Sequence, residues 1–362
     1  MKIRLEACML FLGVIAPFCA IPYVAVAQNT VPSQIPLPPS LATPPSATPP
    51  AAGAPAAPAG STDSVAQPAS DAPLTTIRVQ SNEVNLVFAV TDKKGHFITG
   101  LQQQDFGLSD NSRQVDQVLR LQQQTNLPLR VGLMIDTSSS IRDRFQFEQD
   151  AAVDFLKQTI HPADSAFVEG FDTSLDREQD FTSSVDKLAA GVQKLRPGGG
   201  TALYDALFKT CRDQMLSLSR SQSVRKVIVL VSDGEDNYSR LPQKEAVQEC
   251  LRAETMIYSI STNISASRTK GDDVLRILAE QTGGSAFYPN KLADITGYFK
   301  NIQEELRSQY LLVYRPPDFN NDGSFHAIQV MPRNRTYLVR AKRGYFAPRP
   351  VQAMATPPAP LP

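Results

Sequence analysis

The sequence predicts a doubly wound α/β domain with a mostly parallel sheet, inserted into a smaller β-sandwich-like domain built from the chain's N- and C-terminal flanks. Three observations carry this expectation. From Leu129 to about Gln309, short apolar runs alternate with amphipathic segments, the rhythm of strand–helix units. On either side of that stretch, apolar and polar residues mostly alternate one by one, as in half-buried antiparallel strands. Neither flank is large enough to be stable alone, so the two are expected to pair with each other.

The ends of the chain have a different character. Lys2 and Arg4 precede an apolar segment from Ala7 to about Ala20, and Ala25-Val26-Ala27 supplies a small-x-small pattern before Gln28. This is the pattern of a cleavable secretory signal peptide over residues 1–27, with an uncleaved anchor as the alternative. Its apolar core is short for a membrane span, and no other segment is long enough. Residues 28–73 are dominated by Pro, Ala, Ser and Thr, the composition of an extended, disordered linker, and 348–362 is a second Pro-rich tail. The expected location is therefore outside the cytoplasm: secreted, periplasmic or in the cell envelope. Lys plus Arg and Asp plus Glu number 36 each, so no basic surplus points to nucleic acid or an anionic membrane.

In the N-terminal flank, 74–128, Ile77, Val79, Val84, Leu86, Phe88 and Val90 mark strands before a turn at Lys93-Lys94-Gly95. Val115, Val118 and Leu119 mark another after a turn at Asp110-Asn111. The α/β stretch, 129–309, opens with the strand Val131 to Ile135 and a helix from about Phe145 to Thr159. Strands follow at 166–171 and, as a possible edge, 179–182; helices are expected at 185–195 and 202–216. Then come strand 227–232, helix 244–254, strand 257–261, helix 272–281 and a short strand at 286–288. Leu292, Ile295, Phe299, Ile302 and Leu306 form the apolar stripe of a closing helix. It runs almost without linker into the C-terminal flank, 310–347, with strands at 311–314, 327–330 and 337–341. A shift of this helix would pull on the β domain unless the junction is rigid.

Chemistry concentrates at three places. The first strand ends in Asp136, followed by Ser138 and Ser140 in the spacing Asp-x-Ser-x-Ser. A Gly-rich loop, RPGGGTALYDAL, carries Thr201 just ahead of a helix. A second apolar strand, VIVLVS, ends at Asp233. In an open parallel sheet, ligands bind beyond the carboxyl ends of the strands. Three hydroxyls and two carboxylates brought to that edge suit a small hard cation such as Mg²⁺. Asp, Ser and Thr also make ordinary caps and turns, which is the competing reading.

In order and rough spacing, Asp136, Ser138, Ser140, Thr201 and Asp233 resemble the metal-ion-dependent adhesion site (MIDAS) of von Willebrand factor type A domains, and the resemblance covers about Leu129 to Gln309. The flanking stretches VTDKKGHFITGLQQQDFGLSDN and QYLLVYRPP…AKRGYFAP are similar to the VWFA-related family of certain soil bacteria, a scaffold defined by its sequence rather than by one activity. The resemblance implies that Ser138 and Ser140 bind the ion directly and that Thr201 does so directly or through water. Asp136 and Asp233 supply charge largely through water. It also implies Mg²⁺ (or Mn²⁺ or Ca²⁺) as the ion and a protein partner whose Asp or Glu completes the shell. Ser139 would be a spacer, and Glu235 and Asp236 solvated loop acids.

Other motifs read as structural. The Gly-rich loop lacks the Gly-Lys-Ser/Thr ending of a phosphate loop. The DFNNDGS stretch from Asp318 has Gln329 where a calcium loop needs Glu, and is expected to be a hairpin turn. Cys8 and Cys19 leave with the signal peptide. Cys211 and Cys250 remain on inward helix faces that right-handed crossovers put on one side of the sheet, where a disulfide and two buried thiols fit equally. His96, His161 and His326 are scattered, and no Gly-x-Ser-x-Gly is present, so an enzyme is not expected. The leading expectation is an exported, metal-dependent, adhesion-like protein-binding module. The alternatives are an envelope protein with a stabilising metal, or a metal-assisted hydrolase using Glu235 as base.

Overall fold

The computed structural model describes residues 82–124, 127–139, 142, 144–218, 224–265 and 267–348. The chain divides into two units, Met1–Thr75 and Thr76–Pro362, and every described residue lies in the second. The signal peptide, the linker, Ile77, Val79, Ser140 and the tail from 349 onward fall outside the described residues.

The α/β part is a six-stranded sheet. Its strands in chain order are β5 (Leu129–Asp136), β6 (Ser165–Phe171), β7 (Leu175–Thr182), β8 (Arg225–Ser232), β9 (Thr255–Ser261) and β10 (Ala286–Phe287). They lie in the order β10-β9-β8-β5-β6-β7, all parallel except the antiparallel edge strand β7. The edge strand expected at 179–182 begins earlier, at Leu175, where the chain folds back on β6. Central strands β5, β8 and β9 are apolar on both sides because helices cover both faces. On one face Leu129, Val131, Leu133 and Ile135 meet α1 (Phe145–Thr159), α2 (Val185–Lys194) and α6 (Asp294–Ser308). On the other, Met134, Ile228 and Leu230 meet α3 (Leu203–Thr210), α4 (Gln243–Arg252) and α5 (Lys270–Thr282). The helix expected at 202–216 is α3 followed by a π-helical turn, Cys211–Met215. That turn carries Cys211, which forms a disulfide with Cys250 of α4 inside this second core.

The flanks pair as expected, in two antiparallel sheets sharing one apolar core. The first is ordered β13 (Leu338–Ala341), β1 (Val84–Thr91), β11 (Gln309–Tyr314), β4 (Val118–Gln124). The second is β14 (Gly344–Phe346), β12 (Phe325–Pro332), β2 (Phe106–Asp110), β3 (Arg113–Gln114). Three short strands, β2, β3 and β14, go beyond the sequence reading. The turn at Asp110-Asn111 joins β2 to β3, with Asn111 and Ser112 both at positive φ (47° and 65°), the geometry that matches hairpin twist. The DFNNDGS stretch is not a hairpin: β11 before it and β12 after it belong to different sheets, so it crosses between them. Asp322 Oδ1 closes a local turn there by accepting from the Ser324 amide at 2.7 Å.

Helix α6 passes into β11 with no intervening residue, and the junction is bolted. Arg225, at the start of β8, is 2% exposed and donates to the Leu306 carbonyl and, at 3.3 Å, to that of Leu127. Gln309 donates to the Tyr258 hydroxyl at 2.9 Å, and that hydroxyl donates to Glu305 Oε1 at 2.8 Å. The other oxygen of the buried Glu305 pairs with Arg340 of β13. Removing one member of a buried pair leaves a charge without compensation, at a cost of about 3–5 kcal/mol. Arg340→Met is therefore expected to destabilise the chain by about that amount in urea unfolding, with much of the loss recovered by adding Glu305→Gln. A loss below about 1 kcal/mol would place this pair with weak surface bridges instead.

Candidate metal centre

Strands β5 and β8 are neighbours, in register from Leu129↔Arg225 to Ile135↔Val231, so their carboxyl ends arrive together. Asp136 closes β5 and is fully buried; Asp233 follows β8 and is 6% exposed. Asp136 Oδ1 accepts the Ser138 amide at 2.9 Å, and Oδ2 accepts the Ser232 hydroxyl at 2.7 Å. Ser232 Oγ in turn accepts the Gly234 amide at 3.0 Å. Gly234 has φ +78°, and a Cβ there would stand 2.2 Å from the Gly271 carbonyl oxygen, so only glycine fits this turn. The Asp233 carbonyl is held by Asn263 Nδ2 at 2.8 Å and its Oδ1 by the Glu235 amide at 3.0 Å.

The Gly-rich loop ties these two strand ends together. The Gly198 amide donates to the Thr137 carbonyl at 2.6 Å, and both the amide and the hydroxyl of Ser139 donate to the Gly199 carbonyl, at 3.2 and 3.1 Å. Ser139 is thus a tether between loops rather than a spacer. On the other side, the Thr201 amide donates to Asn237 Oδ1 at 2.9 Å, and the Thr201 carbonyl accepts the Asn237 and Tyr238 amides, both at 3.0 Å. Asp236 is not merely a solvated loop acid: its Oδ2 accepts the Tyr204 amide at 3.0 Å and so caps the start of α3. Glu235 is exposed. Four of the five predicted residues, Asp136, Ser138, Thr201 and Asp233, therefore lie buried on one edge in one hydrogen-bonded loop assembly. Ser140, the fifth, lies outside the described residues.

Sequence reading missed three polar residues of this edge. Ser232, inside the apolar strand, orients Asp136; Asn237 positions Thr201. The third is Glu148, in the first turns of α1, whose side chain is fully buried and whose two oxygens accept no hydrogen bond. Its ion-pair partner is Arg144, at 3.5 Å.

Electrostatics mark this edge as short of positive charge. Burial pushes the Asp136 carboxyl up to about 6 despite the hydrogen bonds from Ser138 and Ser232, and the charge of Asp233 adds to the rise. Burial pushes Glu148 up to about 8 despite Arg144, with the charges of Asp136 and Asp233 adding again. Among the described residues no Lys or Arg pairs with Asp136. A hard divalent cation fits what is present, namely carboxylates buried beside hydroxyls. Among the described residues no three His, Cys, Asp or Glu side chains are grouped to hold a metal by themselves, so the hydroxyls are essential to any such site.

Comparison with known proteins adds the following. Residues 131–235 match the family model of the von Willebrand factor type A domain. No curated protein matches the chain. Among solved structures, the chain is similar to the conserved hypothetical protein BatB from Bacteroides thetaiotaomicron, at 13% identity and TM-score 0.40, covering 50% of this chain and 100% of that one. It is similar to proximal thread matrix protein 1 of the mussel byssus, solved with a zinc-occupied MIDAS motif, at 18% identity and TM-score 0.43, covering 54% of this chain and 50% of that one. It is also similar to the vWF domain of the type V pili tip protein Mfa5 from Porphyromonas gingivalis, at 16% identity and TM-score 0.44, covering 51% of this chain and 96% of that one.

The raised carboxyls give a pH prediction for the protein in EDTA. A carboxyl whose folded pKa lies above its unfolded value holds its proton longer when folded, so unfolding releases protons between the two values. The contribution of Asp136 and Glu148 to stability should therefore be full below about pH 4 and decline as pH rises through about 6 and 8. Melting temperatures in EDTA should show this decline between pH 5 and 8.5, and Glu148→Gln should remove most of it, Asp136→Asn only the part below about pH 6. A profile that rises over this range in all three proteins would contradict the assignment.

Proposed function

We propose that the chain is an exported, metal-dependent protein-binding module, and not an enzyme, in which a MIDAS-type centre captures an acidic side chain of a partner protein. The observation that carries this reading is the pair of buried carboxylates, Asp136 and Asp233, set beside Ser138 and Thr201 at the carboxyl edge of the sheet. Ser138 and Thr201, with Ser140 two residues along the sequence, would hold a Mg²⁺-type ion. Asp136 and Asp233 would balance its charge. The ion, when bound, supplies a Lewis-acidic position able to take a carboxylate oxygen from outside.

The rest of the chain is suited to presentation rather than turnover. The loops around Thr201 are cross-tied to both neighbouring strands, which presets the oxygen donors and lowers the ordering cost of binding. The sandwich joins the α/β domain at the opposite, amino edge of the sheet, where Arg225 and the end of α5 meet it; the Arg343 amide donates there to the Gln281 carbonyl at 3.1 Å. The metal edge is thereby left for a partner. Among the described residues no helix is long and apolar enough to cross a membrane, and the Cys211–Cys250 disulfide suits an oxidising compartment. Export through the segment 1–27 fits the disulfide. The reading as an envelope protein with a purely stabilising metal has no observation of its own in its favour.

The test has two arms. Calorimetry should show Mg²⁺ or Mn²⁺ binding that Asp136→Ala abolishes, with an unchanged far-ultraviolet spectrum. A short peptide carrying a single Glu should bind the Mg²⁺-loaded protein, lose binding in excess EDTA, and lose it again when Glu becomes Gln. Equal metal affinity in mutant and wild type would remove the site. Metal binding without any carboxylate capture would reduce the ion to a structural role.

A further inference from the structure

The buried carboxylate of Glu148 has no explanation in the fold alone. Helix α1 follows β5 and runs back from the carboxyl edge of the sheet, so its first turns lie over the strand ends that carry Asp136 and Asp233. Its inward stripe is Phe145, Glu148, Ala152, Phe155 and Leu156, all packed towards the sheet. The other buried polar members of the helix, Gln149 and Thr159, are neutral. Glu148 is the one charged side chain on it, and it sits at the end nearest the metal centre. Both its oxygens are buried and accept no hydrogen bond, and the Nε of Arg144 facing it, 3.5 Å away, is itself without a hydrogen-bond partner. A buried carboxylate left in this state costs several kcal/mol relative to water, and one loose pair at that distance returns little of it.

Counting charge at this edge makes the shortfall concrete. Asp136, Asp233 and Glu148 bring three negative charges when ionised, and Arg144 brings one positive. The charges of the two aspartates act on Glu148, so the three form one electrostatic group. A divalent cation would offset much of this buried negative charge, whereas Asp172, Glu235 and Asp236 on the same edge are more open to solvent.

We infer that Glu148 is the third acidic group of the metal centre, acting on the cation through its water shell from helix α1, outside the Asp-x-Ser-x-Ser, Thr and Asp motif. The inference rests on the metal centre proposed above and adds a positioning residue to it. A direct bond is not required. Among the described residues the three carboxylates do not form a ligating group by themselves, so Glu148 would act through water rather than as a direct ligand. A partner that orients metal-bound ligands in this way is typically worth 10–100-fold in affinity.

The test compares Mn²⁺ affinity, by calorimetry and by the electron paramagnetic resonance signal of free ion, in wild type, Glu148→Gln and Glu235→Gln. Glu235→Gln removes an exposed carboxylate two residues from Asp233 and so measures the effect of mere field. The expected result is a loss of at least about 10-fold for Glu148→Gln and a much smaller loss for Glu235→Gln. In EDTA at pH 8, Glu148→Gln should melt no lower than wild type, because an uncompensated buried charge has been removed; this also shows that the variant folds. If Glu148 serves only as the partner of Arg144, Glu148→Gln melts lower in EDTA and binds Mn²⁺ as wild type does. That outcome, or equal losses in the two variants, overturns the inference. Wild type that binds no Mn²⁺ would instead overturn the metal centre itself, so the two failures are distinguishable.

Discussion

Negative charge buried at the end of a buried strand is the constraint around which the α/β domain is arranged. A carboxylate removed from water needs hydrogen bonds, a counter-charge or a proton. Asp136 receives hydrogen bonds from both sides, from Ser138 in its own loop and Ser232 in the next strand. These come from neutral groups, which orient the carboxylate without cancelling its charge. The surrounding loops are then fixed by the same requirement. Gly234 permits the tight turn that brings its amide back to Ser232, and Ser139 and Asn237 clamp the Gly-rich loop from either side. An edge this heavily tied, with carboxylates buried beside neutral hydroxyls, suits the cation proposed for it.

The convergence of Asp136, Ser138, Thr201 and Asp233 on one edge was readable because they are chemically unusual where they stand: a carboxylate and hydroxyls directly after runs of Val, Ile and Leu. The strand–helix alternation was readable for a related reason, since strands buried on both faces leave unbroken apolar runs. What escaped was everything decided by register. Ser232 looks like any strand-end serine until β8 is placed beside β5, where it faces Asp136. Glu148 looks like a first-turn helix acid, a position that ordinarily favours the helix dipole in solvent. Only the docking of α1 turns it inward. Ser139 and Asp236 failed as spacer and solvated acid because their partners lie on other loops, Ser139's some sixty residues away, at Gly199.

The flanks were legible in kind and not in detail. Alternation at Val84, Leu86, Phe88 and Val90 foretold one face of a sheet, and those four are buried in the sandwich core. Short strands such as β3 and β14 carry too few residues for any period to show. DFNNDGS was misread because turn chemistry is the same whether a chain reverses within one sheet or steps to another. The buried polar cluster in the sandwich was also invisible: Asp110 accepts from the Tyr314 and Tyr345 hydroxyls at 2.8 and 3.1 Å and pairs with His326 at 3.0 Å. It joins β2, β11, β12 and β14, so residues from both flanks close one network. Such a network specifies pairing between distant segments, which an apolar interface alone would leave less defined.

Whether metal binding is felt in the sandwich turns on α6. Its first turn is at the carboxyl edge of the sheet, because it follows the parallel strand β10, and its last turn is bolted at the amino edge. Sliding the helix along its axis would part Arg225 from the Leu306 carbonyl and carry Glu305 away from Arg340 and Tyr258. Parting a buried pair costs about 3–5 kcal/mol. A ligand moves such an equilibrium only by its differential affinity for the two positions, and couplings between sites are commonly about 1–3 kcal/mol. The bolt exceeds the lever. Helix α6 therefore acts as a strut that sets the sandwich at a fixed place on the α/β domain, and the absence of any residue between it and β11 strengthens the strut. On the proposed reading, capture at the carboxyl edge would be a local event, with the flanks holding that edge outward.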